Sequence, residues 1–185
     1  MRTMLRWALP PLAVLLLAGC GPSAKNAATD KASEAKATAP SSKTLAATVD
    51  GDMARVVSNA GLDKPLAGVG PYTLFAPPDA TLKNGVDFTA PANRAQAAAL
   101  LRAHIVPGTL TRADIAAAVD HAGAKGAQMR TMAGGLLTFT KDGQTLVATA
   151  PDGAAAHLTG DESLVSNGIL QPTDGLLVKP APAAG

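Results

Sequence analysis

The stretch Tyr72-Thr-Leu-Phe-Ala-Pro-Pro-Asp79 constrains the fold of this chain more than any other. Five residues suited to a strand run into two prolines, neither of which can donate a backbone hydrogen bond, so the ladder has to end there. Alternation sends Leu74 to one face and Phe75 to the other, which describes a strand buried on both sides between sheet and helices. The chain has only five aromatic residues, Trp7, Tyr72, Phe75, Phe88 and Phe139, and two of them stand in this stretch, as core residues would. Asp79, just past the prolines, can accept hydrogen bonds from the amides of Thr81 and Leu82 and so start a short helical turn. Capping and contact with a partner are both open to it.

The N-terminus reads as an export signal. Arg2 and Arg6 precede an apolar run from Trp7 to Ala18 that contains Pro10 and Pro11 and closes on Leu17-Ala18-Gly19-Cys20. The run is shorter than the roughly 20 residues of a spanning helix and ends on small residues, as a cleavage site does. Cys20 is the only cysteine of the chain and stands just after that site. Leu-Ala-Gly-Cys resembles the lipobox of bacterial lipoproteins, which implies acylation of Cys20 and a membrane partner for the mature chain. The other reading is an ordinary signal peptide with an odd thiol left over. Gly21 after the cysteine suits delivery to an outer membrane, so the expected location is the cell envelope, on the outer membrane or facing the periplasm. With Cys20 committed to lipid, no disulfide is available and the exported fold is held by packing alone.

Removal of residues 1–19 takes Arg2 and Arg6 from the 16 basic side chains and leaves 14 against 14 acidic ones. A formally neutral mature chain without a Lys/Arg run does not suit nucleic acid as a partner. Residues 20–42 hold the lipid site and then Ala, Ser, Thr, Lys, Pro and acidic residues without a large apolar side chain, the composition of a flexible linker. Residues 43–180 are the size of one domain, and 181–185 form a tail.

Within that domain, period predicts three helices. Met53, Val56, Val57 and Ala60 line one face of the first, with Asp52 as N-cap and Gly61 as its stop. The second runs from about Pro91 to Ile105, presents Ala97, Leu100, Leu101, His104 and Ile105 on one face, and ends at Pro107. The third opens on Thr111 and Asp114 as a capping box, with Ile115, Ala118, Val119 and Ala122 on one face and Gly123 behind it. The period then changes to two. Leu137 and Phe139 alternate with Thr138 and Thr140, Asp142-Gly143 turns the chain, and Thr145 to Ala150 returns as the second strand of a hairpin. Further extended pieces are expected at Ala154 to Leu158, Ser163 to Ser166 and Gly175 to Val178. Helices first, an antiparallel sheet later and one lone strand at 72–76 make the class α+β.

Three segments in order carry a family resemblance: Tyr72-Thr-Leu-Phe-Ala-Pro-Pro-Asp79, Leu100-Leu-Arg-Ala-His104-Ile-Val-Pro-Gly108, and Asn167-Gly-Ile-Leu-Gln-Pro-Thr-Asp174-Gly-Leu-Leu-Val. Together they resemble the fasciclin domain, whose pattern reads approximately TLFAPTDxAF, LLxYHVVPG and NGVIHVIDGVLLP, and the likeness covers nearly all of Lys43 to Pro180. It implies a wedge of two β-sheets with several helices packed along it, and an adhesion role through contacts with extracellular protein or glycan. It also singles out Asp79, His104, Asn167 and Asp174 as motif residues with binding or structural roles. The sequence departs from the pattern at Pro78 in place of Thr, Leu82 in place of Phe, Ala103 in place of the Tyr before His104, and Gln171-Pro172 in place of His-Val.

Catalytic chemistry finds few candidates. No G-x-S-x-G elbow occurs, and His104, His121 and His157 are too far apart in sequence for a helical zinc pair, so neither a catalytic residue, a metal nor a cofactor is expected. Asp50-Gly-Asp52 lacks the remaining oxygen ligands of a calcium loop and reads as a helix start. Gly68-Val-Gly70 precedes a strand and reads as a turn. His104 shares a helical face with Leu100 and Leu101, where its imidazole is expected to hydrogen-bond a neighbouring loop carbonyl. Three functions follow for testing: a non-enzymatic adhesion or protein- or glycan-binding module tethered through Cys20, a periplasm-facing lipoprotein that carries a small apolar ligand or supports envelope integrity, and an enzyme built from distant His, Asp or Glu groups.

Overall fold

Apolar periodicity and local caps set the helices. The computed structural model describes residues 41–179, in which α1 spans Leu45–Thr48, α2 Gly51–Ala60, α3 Asp63–Ala67, α4 Arg94–His104 and α5 Arg112–Ala122. The expected signal peptide, the lipid site at Cys20, the linker up to residue 40 and the tail at 181–185 lie outside the described residues. Met53, Val56, Val57 and Ala60 are the buried face of α2, and Gly61 ends it at φ 70°, a left-handed conformation that glycine adopts without penalty. The N-cap of α2 is Asp50; Asp52, expected there, lies in the first turn. At α5 the expected capping box is complete, since Thr111 Oγ1 accepts from the Asp114 amide while the Asp114 carboxylate accepts from the Thr111 amide.

Two four-stranded sheets complete the fold. One has the order β2 (Ile105–Pro107), β1 (Tyr72–Ala76), β8 (Gly168–Pro172), β7 (Ser163–Val165); the other runs β3 (Ala127–Arg130), β4 (Leu136–Asp142), β5 (Thr145–Thr149), β6 (Ala155–His157). The class is α+β, as expected. The strand at 72–76 is not a lone one: β1 sits inside its sheet, antiparallel to β2 and parallel to β8, with Leu74 opposite both Ile105 and Leu170. Ile105 consequently belongs to a strand that starts directly after His104, and Pro107 ends that strand instead of the helix. Residues 175–178 form no strand; the extended piece expected there is irregular backbone. The hairpin of β4 and β5 about Asp142-Gly143 is as expected, in antiparallel register with Phe139 opposite Ala148.

The alternation in β1 divides the interior into two cores. Leu74 packs with the buried faces of α2 and α4, among them Val56, Val57, Leu100 and Leu101. Phe75 points the other way, into a cluster with Ile115 and Val119 of α5 and Leu137 and Phe139 of β4. The rings of Phe75 and Phe139, 5.4 Å apart and tilted by 39°, link the two sheets directly. Both faces of the first sheet are thus covered, which is why β1 carries no polar alternation. Ser41, two residues ahead of the expected domain start, already donates its amide to Leu164 O along β7. No helix among the described residues is long and apolar enough to cross a membrane.

Candidate functional site

The four motif residues expected to bind or to hold the fold go to four separate places. Asp79 follows β1 at the start of a 3-10 turn, Asp79–Lys83. Its carboxylate accepts from the amides of Asp52 (3.0 Å) and Met53 (3.1 Å), so it caps the N-terminus of α2 from 26 to 27 residues away. The expectation that it bonds Thr81 and Leu82 is corrected: the turn after Pro78 is closed by the Thr81 amide and hydroxyl on Pro78 O. The physical reason is that Asp50, the N-cap, offers no side-chain bond, which leaves amides of the first turn open to a carboxylate brought in from β1.

His104 is fully buried at the last position of α4. Its Nδ1 bonds Leu100 O at 2.8 Å and its Nε2 accepts from the Leu177 amide at 2.9 Å. The two contacts fix the neutral tautomer with the proton on Nδ1, because an amide can only donate to Nε2. Burial pushes the imidazole down from 6.5 to about 4, and the Leu100 carbonyl offsets only part of that. The expected loop carbonyl is replaced by a carbonyl of the same helix, with the loop supplying an amide.

Asn167 occupies the turn between β7 and β8 and spends its whole amide on backbone. Its Oδ1 accepts from the Leu45 amide, and its Nδ2 donates to Leu66 O and Gly68 O, each at 2.8 Å. It thereby fastens α1 and the end of α3 to the first sheet. Asp174, exposed, accepts from the His157 amide at 2.7 Å and from His157 Nδ1 at 2.8 Å, while Asp142 stands 3.9 Å from the other ring nitrogen. Among the described residues no group of three His, Cys, Asp or Glu side chains is arranged to hold a metal ion.

A polar cluster that the sequence does not announce lies beside β8. Gln171 is fully buried, donates to Leu110 O and to Glu162 Oε2 (2.6 Å), and accepts from Arg112 Nε at 3.0 Å. Glu162 also accepts from the Arg112 amide, and Arg112 Nη2 reaches Thr159 O. Burial lowers the Arg112 pKa, against the opposing pull of Glu162 and Asp161. The signal in the sequence was the departure itself: Gln171 stands where the fasciclin pattern has His, and its amide serves three partners where an imidazole has two ring nitrogens. Pro172, beside it, closes β8 without a loss, since its carbonyl accepts from the Thr159 amide and the Thr173 amide resumes pairing with Ala76 O.

Three depressions are candidates for a ligand or partner. A cleft of about 570 Å³ lies between Gly68–Pro71 and Leu164–Gly168, and on its wall Val69 is 96% exposed. Another, of about 460 Å³, sits where the parallel strands β1 and β8 end, lined by Asp50, Asp79, Pro77, Pro78, Ser163 and Thr173. The third, of about 210 Å³ and mostly apolar, is lined by Ala103, Leu137, Ala150, Pro151, Leu177 and Val178. His104, just below it, does not open into it, being bonded to backbone on both nitrogens.

A solved structure described as a FAS1 domain pair from the insect cell adhesion molecule fasciclin I is similar at 16% identity and a TM-score of 0.48, over 66% of this chain and 40% of that one. The chain therefore spans well under half the length of that relative. No curated protein matches. The model of the fasciclin domain matches residues 51–179, which takes in all eight strands and every described helix after α1. This chain belongs to the fasciclin domain family.

Proposed function

We propose that the chain is a non-enzymatic, adhesion-type binding module of the bacterial cell envelope, tethered through acylated Cys20 and held away from the membrane by the linker up to residue 42. Its partners on this reading are proteins or glycans of an opposing surface. Family membership supports the adhesion-type role, while the tether rests on the Leu17-Ala18-Gly19-Cys20 motif. One structural observation carries the preference for surface contact over chemistry. Each residue that the sequence singled out is spent on architecture: Asp79 on a helix terminus, His104 and Asn167 on backbone groups, Asp174 on His157. None of them points a free acid, base or nucleophile into a shared cleft, as a reaction would require.

Carriage of a small apolar ligand fits less well. The apolar cleft holds about 210 Å³, below the roughly 300 Å³ at which pockets for drug-sized ligands begin. The deciding experiment expresses the full chain and its Cys20→Ser variant in a bacterial host and compares protease access to the domain on intact and lysed cells. Loss of the domain from intact cells while a periplasmic control survives, with Cys20→Ser released from the membrane fraction, is the expected result. A domain protected until lysis overturns the adhesion reading, and a Cys20→Ser chain that stays in the membrane overturns the lipid tether.

A further inference from the structure

We infer that the segment Gly175–Lys179 is an acid-released strap, latched by His104 and forming one wall of the apolar cleft between α4 and the second sheet. Its attachments are few. Among the described residues it is held by Thr173 Oγ1 on Gly175 O, by the Leu177 amide on His104 Nε2, and by the Lys179 amide on Asp152 Oδ2. It pairs with no strand. Leu177 is its one fully buried side chain, set into the core around Phe139, while Leu176 and Val178 are partly exposed. A segment with so little backbone pairing opens before strands that are laddered on both edges, as β1 is.

The latch works through one nitrogen. While His104 is neutral, Nε2 accepts from the Leu177 amide; once Nε2 is protonated, two N–H groups face each other and the bond is lost. The charge then has no compensation. The elements packed on α4 carry Asp52 and Arg55 on α2 and Tyr72 on β1, α4 itself carries Arg94 and Arg102, and the strap and its anchors carry Lys179, Asp152 and Asp174. None of these bonds the ring, whose two partners are the Leu100 carbonyl and the Leu177 amide. Opening the strap lets water reach Nε2 without dismantling either sheet. The cleft so widened is apolar on its other walls, at Ala103, Leu137 and Ala150.

Linkage sets the size of the effect. His104 has a pKa of about 4 with the strap shut, and one of about 6.5 when solvated. The open form therefore binds more protons across that window, and acid favours it. At pH 4.5 the opening constant rises about 60-fold over its value at neutral pH. The test is amide hydrogen exchange by NMR on the full chain at pH 7 and 4.5, expressed as protection factors, for wild type and His104→Gln. Glutamine places Oε1 near the position of Nε2 and does not titrate. The expected result is Leu177 protection well below that of Leu74 in β1 at both pH values, a fall of about 60-fold at Leu177 in wild type, and no pH dependence at Leu177 in His104→Gln. Constant protection at Leu177 in wild type, Leu177 protection equal to that of Leu74 at both pH values, or the same fall in His104→Gln overturns the proposal. If His104→Gln does not fold, the 15N titration of the wild-type imidazole decides: its midpoint coincides with strap opening if His104 is the latch, and a different midpoint rejects it.

Discussion

Replacement of Gly51 and Asp79, singly and together, tests whether a carboxylate from the end of β1 holds the first long helix. Asp79 Oδ1 and Oδ2 accept from the Met53 and Asp52 amides at 3.1 and 3.0 Å. Loss of an N-cap acceptor costs about 1 kcal/mol, and loss of a negative charge at a helix N-terminus adds up to about 1 kcal/mol more. Asp79→Ala is therefore expected to destabilise by about 2 kcal/mol. Gly51 has φ 55°, and a Cβ built on it lies 2.1 Å from Asp79 Oδ2. Gly51→Ala thus adds roughly 1 kcal/mol of left-handed strain and also expels the carboxylate, for about 3 kcal/mol in all. In the double variant the cap is already gone and the clash with it, so the cost stays near 3 kcal/mol where additivity demands about 5. A coupling of about 2 kcal/mol is expected between two residues 28 positions apart in sequence. Urea unfolding followed by far-UV circular dichroism measures all four corners of the cycle. Additive costs, or an Asp79→Ala variant within 0.5 kcal/mol of wild type, would refute the remote cap.

The other expectations concern the residues that tie distant segments together. Asn167→Ala leaves the Leu45 amide and the Leu66 and Gly68 carbonyls without their partner; at roughly 1 kcal/mol or more for each orphaned group, the loss is about 3 kcal/mol or more, read as the denaturant midpoint. Asn167→Asp does not rescue it, because a carboxylate oxygen then faces two carbonyls. Thr111→Ala removes one half of the α5 capping box and lowers stability by about 1 kcal/mol, measured in the same assay. The same substitution removes the hydroxyl that, with the Thr111 amide, holds the Asp114 carboxyl below its usual range. The Asp114 carbon resonance should therefore titrate at higher pH in Thr111→Ala. Sign follows from the depressed value: the contribution is present above the ordinary carboxylate pKa and is lost as pH falls through the lower, folded one.

What the sequence discloses depends on how far apart the interacting groups are. The α5 capping box is legible because Thr111 and Asp114 are three residues apart, and the two faces of β1 are legible because Leu74 and Phe75 are adjacent. The hairpin at Asp142-Gly143 is likewise announced by its turn. Nothing local announces that β1 pairs with β8, because a parallel partner almost a hundred residues away leaves no turn signal between them. The stretch from Leu100 to Val106 satisfies a helical face as far as His104 and a buried strand from Ile105, so period alone cannot place the boundary. Leu176-Leu177-Val178 has strand composition, yet the amides at Leu177 and Lys179 go to His104 and to Asp152 in place of a ladder. The same gap explains the misreading of Asp79, whose nearest amides in sequence lie in its own turn while those it caps begin another helix. Where a side chain makes the connection, as Asp79, His104 and Asn167 do, the partner is a backbone group far along the chain, and the residue that reaches it is one of the fasciclin motif positions. The motif is therefore best understood as the set of side chains that close this fold over long sequence distances, and its exchange for a binding function would first have to release a helix end, the strap or a sheet edge.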